Sequence, residues 1–229
     1  MNFDTNIDFS ATPHTAKPEE EPELGDGGAS PYAPPEAYNP PQIDEQIPYE
    51  EMHPLIQHFL DEHRDYDQIL NRFEATLTMI ERGKVDREID ERLTEFYTYF
   101  DEGVREHNIM EEKTIFPKIS EIMNETGDHS KSGDYFNAID VLEDEHAKSL
   151  QLSAITFTLF GLFSRIHDER SRIIILDLAL TQAKELVELL RVHIYREDTI
   201  VFNYAQKKLS KEFMDEMLIK LQKESKNGN

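Results

Sequence analysis

Cysteine is missing from all 229 residues, and that single absence removes a whole sector of chemistry. Disulfides, thiolate metal sites, iron–sulfur ligation and thiol nucleophiles are excluded, so any redox or metal chemistry must use nitrogen and oxygen ligands. Basic residues are scarce: 24 Lys and Arg stand against 47 Asp and Glu, for a formal charge of −23. A surface of that sign repels phosphate backbones and anionic bilayers, so nucleic acid and membranes are not expected partners. Long apolar runs are lacking too. The longest, about Ala154 to Phe163, is interrupted by threonine and is too short to span a bilayer. Met1-Asn2-Phe3-Asp4 begins no secretory signal, and a soluble cytoplasmic protein is expected.

Proline is rare after residue 50, since nine of the eleven lie before it. The same early stretch, through Glu50, carries eleven acidic residues against Lys17 alone. Such a self-repelling, weakly apolar segment cannot bury enough surface to offset its ordering entropy. Residues 1–48 are therefore expected to be a disordered, acidic, Pro-rich tail, and residues 49–229 the folded domain. Within the tail, Tyr32-Ala33-Pro34-Pro35 and Ile43 to Tyr49 are candidate docking segments for a protein partner.

Nothing in the folded part alternates with period two, so strands are not expected. Apolar residues fall instead at helical spacing. Ile56, Phe59, Leu60, Tyr66, Leu70, Phe73, Leu77 and Ile80 predict a helix from His53 to about Glu81. Further helices are predicted over about Asp86 to Met123, Asp134 to Ile166 and Glu169 to Leu209, with a polar loop over Asn124 to Gly133. Ser210 reads as the N-cap of a short final helix. Four long helices with short connections predict an all-α, antiparallel four-helix bundle.

What the sequence does have is one pattern used twice. Asp61-Glu62-His63 leads to His107-x3-Glu111, and Asp144-Glu145-His146 leads to His193-x3-Glu197. Each second half ends alike, in Ile115-Phe116 and Val201-Phe202. All six of His63, His107, Glu111, His146, His193 and Glu197 fall on the apolar stripes, and members of an i,i+4 pair lie only about 40° apart around a helix. Four helices then deliver four imidazoles and two carboxylates to one point. A lone histidine on an apolar face is commonly a hydrogen-bonded core residue. Two buried glutamates are harder to explain without a cation, because desolvating a carboxylate costs several kcal/mol. Imidazole suits zinc, copper, iron or nickel, and carboxylates able to bridge favour a pair of iron- or manganese-type ions. A ferritin-like site would need two Glu-x-x-His motifs, and only Glu143-x-x-His146 qualifies on the inner helices, with Glu50-x-x-His53 at the bundle's start matching in form alone.

On these residues the chain resembles the hemerythrin-like proteins, the HHE cation-binding domain family, over roughly His53 to Leu209. The resemblance implies a bundle holding two iron ions, oxo- or hydroxo-bridged. His63 and His107 would serve one ion, His146 and His193 the other, with Glu111 and Glu197 bridging. Oxygen-carrying hemerythrins have a further histidine one turn before the position of His146, where this chain has Leu142. An open position on each ion is the implied result. That points away from simple oxygen carriage and towards members that handle nitric oxide, peroxide or iron release. The iron–sulfur cluster repair members carry a cysteine-containing N-terminal domain, and here the acidic tail stands in that place. Two functions are expected to compete. One is reaction with a small ligand (O2, peroxide or nitric oxide) in stress protection; the other is an oxygen or iron sensor, or an iron-handling module, acting through the tail.

Other residues read as bystanders. Tyr97 is taken as core rather than redox-active, His58 as solvated, and His53 as nearer the inner side, with contact at the site entrance the lesser alternative. Glu62, Glu112, Glu145 and Asp198, each next to a proposed ligand, point about 100° from the inner stripe and read as charges behind the ligands or on the surface. Replacing Glu112 or Asp198 is accordingly expected to leave metal content nearly unchanged.

Overall fold

The computed structural model describes residues 46–129 and 136–227, without the side chains of residues 224–227, so the tail expected over residues 1–48 lies outside the described residues up to residue 45. Helix α1 (Pro54–Glu81) starts where the His53 ring accepts a hydrogen bond from the Leu55 amide, with Pro54 in the first turn. It ends at Gly83, whose φ of 86° is the left-handed conformation of a C-terminal cap. Asp86 caps α2 (Arg87–Tyr99), accepting from the Ile89 amide. Asn137 and Asp140 form a capping box on α5 (Ala138–Phe163). Asp168 caps α6 (Glu169–Arg196) through Ser171. Ser210 Oγ accepts from the Phe213 amide and opens the helix Lys211–Asn227, as the sequence predicts.

Two of the predicted long helices are interrupted. The second is split into α2, a wide π turn (Phe100–Val104), α3 (Arg105–Lys113) and α4 (Phe116–Thr126). Pro117 explains the break at Thr114–Ile115, because its ring has no N–H to donate and would strike the carbonyl four residues earlier in an unbroken helix. The fourth is split by a second π turn, Glu197–Val201, before α7 (Phe202–Lys208); α8 denotes Lys211–Asn227. Helix α5 begins at Ala138, capped by Asn137; residues 130–133 of the predicted loop and 134–135 of the predicted helix lie outside the described residues.

The long elements α1, α2–α3, α5 and α6 form an antiparallel four-helix bundle, and no strand occurs among the described residues. The cross-contacts show the antiparallel sense: His63 meets His107 while Phe73 stacks on Phe96, and His146 meets His193 while Lys148 pairs with Glu185. No helix of the described residues is long and apolar enough to cross a membrane. Two apolar clusters fill the interior. One gathers Leu70, Phe73, Leu77, Phe96, Phe100, Leu186 and Leu190. The other gathers Leu55, Ile56, Phe59, Ile115, Phe116, Ile119 and Phe202. Burying each such side chain contributes about 1.5–3 kcal/mol, which lets the bundle carry a polar layer.

Candidate metal centre

All six sequence-predicted residues are buried in that layer, and Glu111 and Glu197 are wholly inaccessible. His63 Nε2 lies 2.9 Å from His107 Nε2, and His146 Nε2 lies 3.0 Å from His193 Nε2. The carboxylates stand between the pairs. Glu197 Oε2 is 3.2 Å from His63 Nε2 while its Oε1 is 3.1 Å from His193 Nε2. Glu111 Oε2 is 3.5 Å from His107 Nε2 and 3.6 Å from His146 Nε2. Donor atoms of His63, His107, Glu111 and Glu197 fall within 4.8 Å of one another, as do those of Glu111, His146, His193 and Glu197. Both glutamates belong to both groups.

The donor set fits a cation and little else. Every ring turns its other nitrogen to a carboxylate: His63 Nδ1 to Asp198 at 2.6 Å, His107 Nδ1 to Glu62 at 2.8 Å, His146 Nδ1 to Glu112 at 2.8 Å and His193 Nδ1 to Glu145 at 3.1 Å. A carboxylate only accepts, so each Nδ1 carries the proton and each neutral ring presents a lone pair at Nε2. Paired lone pairs at 2.9 and 3.0 Å repel unless a positive charge lies between them. Two nitrogens bound at about 2.1 Å and at a right angle to one ion would stand about 3.0 Å apart. Both oxygens of Glu111 and of Glu197 are buried with no hydrogen-bond partner, the orphaned state that a bound cation relieves.

The model of the hemerythrin HHE cation-binding domain matches residues 54–205. The chain belongs to this family. No curated protein and no solved structure gave a significant match. Membership and the buried His/Glu groups together indicate a metal site, of the kind this family typically fills with iron.

The carboxylates behind the hemerythrin-type histidines follow one of the two readings the sequence left open. Glu62, Glu112, Glu145 and Asp198 do leave the inner stripe, but a direction 100° off that stripe aims at the adjacent helix, where the next histidine's Nδ1 lies. The four links close a ring: α1 to α3 through Glu62, α3 to α5 through Glu112, α5 to α6 through Glu145, and the second π turn back to α1 through Asp198. None of the four is an idle surface charge. Arg196 joins the ring at one point only, pairing with Glu145.

Aromatic rings brace the same histidines in two-fold fashion. Phe202 stacks on His63 at 5.5 Å and Phe116 on His146 at 5.7 Å, which explains why each copy of the sequence pattern ends in Phe. Burial works against protonating His63, but Asp198 and Glu197 outweigh it and its pKa is raised. Burial is likewise outweighed by carboxylates at His107, led by Glu111, and at His193, led by Glu197, so both are raised. At His146 burial and the positive field of His193 prevail, and its pKa is lowered. Burial pushes Glu197 up, yet His193 and His63 hold it well below the usual carboxylate range. With no metal bound, imidazolium supplies the positive charge.

The remaining candidates are placed as follows. Leu142 is buried against the Phe116 cluster one turn before His146. His53 caps α1 and bonds Asp215, outside the polar layer, and the half-buried His58 lies 3.6 Å from Glu62. Tyr97 packs in the core with Phe96 and Phe157, as expected. Tyr66, which the sequence reading counted only as stripe, is the tyrosine at the site. It lies one turn after His63, its buried hydroxyl has no hydrogen-bond partner, and burial, Tyr99 and the Glu197 carboxylate raise its pKa well above the ordinary value. Its only sequence signal was the i+3 spacing from His63.

Proposed function

We propose that His63, His107, His146, His193, Glu111 and Glu197 hold two iron ions, and that the protein reacts with a small ligand such as O2, peroxide or nitric oxide. The observation that carries this is the sharing of Glu111 and Glu197 between two four-donor groups, a layout suited to two bridged ions rather than one. When bound, an iron pair supplies redox equivalents and Lewis acidity. The chain's own residues do the rest. The ring of four carboxylates fixes each imidazole with Nε2 inward and raises its basicity. Phe59, Phe116 and Phe202 exclude water from one side. Leu142 supplies no donor where oxygen carriers have a histidine, which leaves a position for the incoming ligand on the His146–His193 side. Tyr66 offers that ligand an uncommitted hydroxyl from the other side.

A second reading, a sensor coupled to its tail, has one observation in its favour. The Ile47 amide donates to Asn203 Oδ1 at 2.8 Å, and Asn203 Nδ2 donates to the carbonyls of Asp198 and Thr199 in the π turn. The end of the tail is thereby tied to the segment that carries Glu197.

Reconstitution with ferrous iron without air, followed by iron counting and challenge with excess peroxide or nitric oxide, tests both. About two irons per chain, near-ultraviolet charge-transfer absorption on oxidation and repeated turnover are expected. A single reaction that stops selects the sensor. One tightly held zinc with no competence for iron overturns the di-iron assignment.

A further inference from the structure

Helix α5 changes character after Lys148. From Ser149 to Ser164 it carries no charged residue on any face, in a chain of net charge −23. Its inward residues Leu152, Ser153, Thr156 and Phe160 fill the bundle. The outward side reads Ala147, Leu150, Ala154, Phe157 and Gly161, at alternating spacings of three and four, the repeat by which one helix packs along another. Leu150 is 49% and Phe157 62% exposed, and a Cβ built on Gly161 would meet nothing within 4 Å. Apart from the Phe157 ring, which meets Tyr97 at 5.2 Å, the described residues leave this seam uncovered.

We propose that a second copy of the chain docks here, α5 against α5, antiparallel about a two-fold axis at the level of Leu152. Charge is the first argument. Two copies each of net charge −23 repel, and a two-fold interface sets a surface against itself, so only a charge-free face can be buried without pairing like charges. Size is the second. In this register Phe157 lies over Ala147 of the second copy and Leu150 over its Ala154, so each large side chain of the seam meets a small one, while Gly161 lies beside Glu143 at either end. A parallel pairing would set Phe157 on Phe157. The two seams overlap over residues 147–157, roughly 16 Å of helix, and one helix pair falls short of the about 800 Å² per partner of a standard interface, so the dimer is a micromolar one.

Sedimentation of the full chain from about 1 to 200 µM should show a concentration-dependent shift towards twice the monomer mass. Added salt should strengthen the association, because screening removes repulsion and breaks no ion pair. Leu150→Glu and Ala154→Arg, both at exposed positions, should each weaken it at least about tenfold with helicity and melting unchanged. Because the chain has no cysteine, register can be read directly. Gln151→Cys lies beside the axis and should cross-link through a short bismaleimide; Ser164→Cys, about 36 Å from its symmetry mate, should not. A chain still monomeric at 200 µM, dimers indifferent to both substitutions, or equal cross-linking at the two cysteines would overturn the proposal. So would dimers that vanish only on deletion of residues 1–45, since the occupant of the interface would then be the tail.

Discussion

Asp198→Leu is the sharpest perturbation of the carboxylate ring. The Asp198 oxygen accepts from His63 Nδ1 at 2.6 Å, the shortest of the four links, and the ring it holds is only 3% exposed. Leucine removes the acceptor and leaves a buried N–H unpaired, at a cost of about 1–3 kcal/mol. It also frees the imidazole to rotate, and partners behind metal-binding histidines typically contribute 10–100-fold in affinity, about 1.4–2.7 kcal/mol. Ferrous affinity, measured by chelator competition without air, should therefore fall 10–100-fold, while the count at saturating iron stays at two. Asp198→Asn keeps an acceptor at nearly the same place and should lose no more than about tenfold. Glu197→Ala should behave differently in kind, with the count itself dropping to one or none, because one carboxylate serves both donor groups. If Asp198→Leu binds iron within twofold of the parent, or loses the count as Glu197→Ala does, the ring has no positioning role.

Leu142→His adds an imidazole one turn before His146 and should slow peroxide or nitric oxide consumption while lengthening the life of the oxygenated form; unchanged rates in a folded, fully loaded variant would mean that Leu142 does not govern reactivity. Metal-free stability should decline as pH rises from ~6.5 through the raised pKa values of His63, His107 and His193, because that stabilisation is complete only below the ordinary value, and Glu197, held low, adds stability that is lost only in acid. Iron competes with the same protons, so the gain in Tm on loading should grow between pH 6 and 8, and a flat gain would contradict the electrostatics. Deleting residues 1–45 should leave helicity and iron content intact, whereas deletion through residue 48 also removes the Ile47–Asn203 bond and should lower Tm by a few degrees; equal melting of the two would show that the bond is idle. Tyr66→Phe should leave folding and iron count unchanged, yet release bound nitric oxide about tenfold faster, the worth of one hydrogen bond, and an unaltered release rate would remove Tyr66 from the site.

The six inward donors were legible because helical phase is a local property. Once the stripe through Phe59, Tyr66 and Leu70 is seen, His63 must share its face, and the same holds for the other five. What lay beyond reach depended on neighbours. The direction of Glu112 follows from its own helix, but that it ends on His146 depends on where α5 sits beside α3. The π turns were invisible for another reason: they shift backbone hydrogen bonds, as from Arg105 to Phe100, and no residue type announces the shift. The break at Pro117 was different, since the proline was in plain view and the apolar period on both sides masked it.

The sequence repeat is two-fold, but the electrostatics it builds are not. Three ring carboxylates, Glu62, Glu112 and Asp198, are 33–40% exposed and serve one site histidine each, Glu62 lying also 3.6 Å from His58. Glu145 is 12% exposed and divides its charge between His193 and Arg196. A carboxylate already neutralised by a guanidinium polarises its imidazole less, and the link to His193 is the longest of the four at 3.1 Å. The His193 ring is therefore the least polarised through its Nδ1, although Glu197 raises its pKa, and its partner His146 is the one site histidine whose pKa is lowered, by burial and by His193 itself. Both effects fall on the same half of the site, the half beside Leu142. The two-fold repeat thus frames two donor groups that differ in charge and in hydrogen bonding.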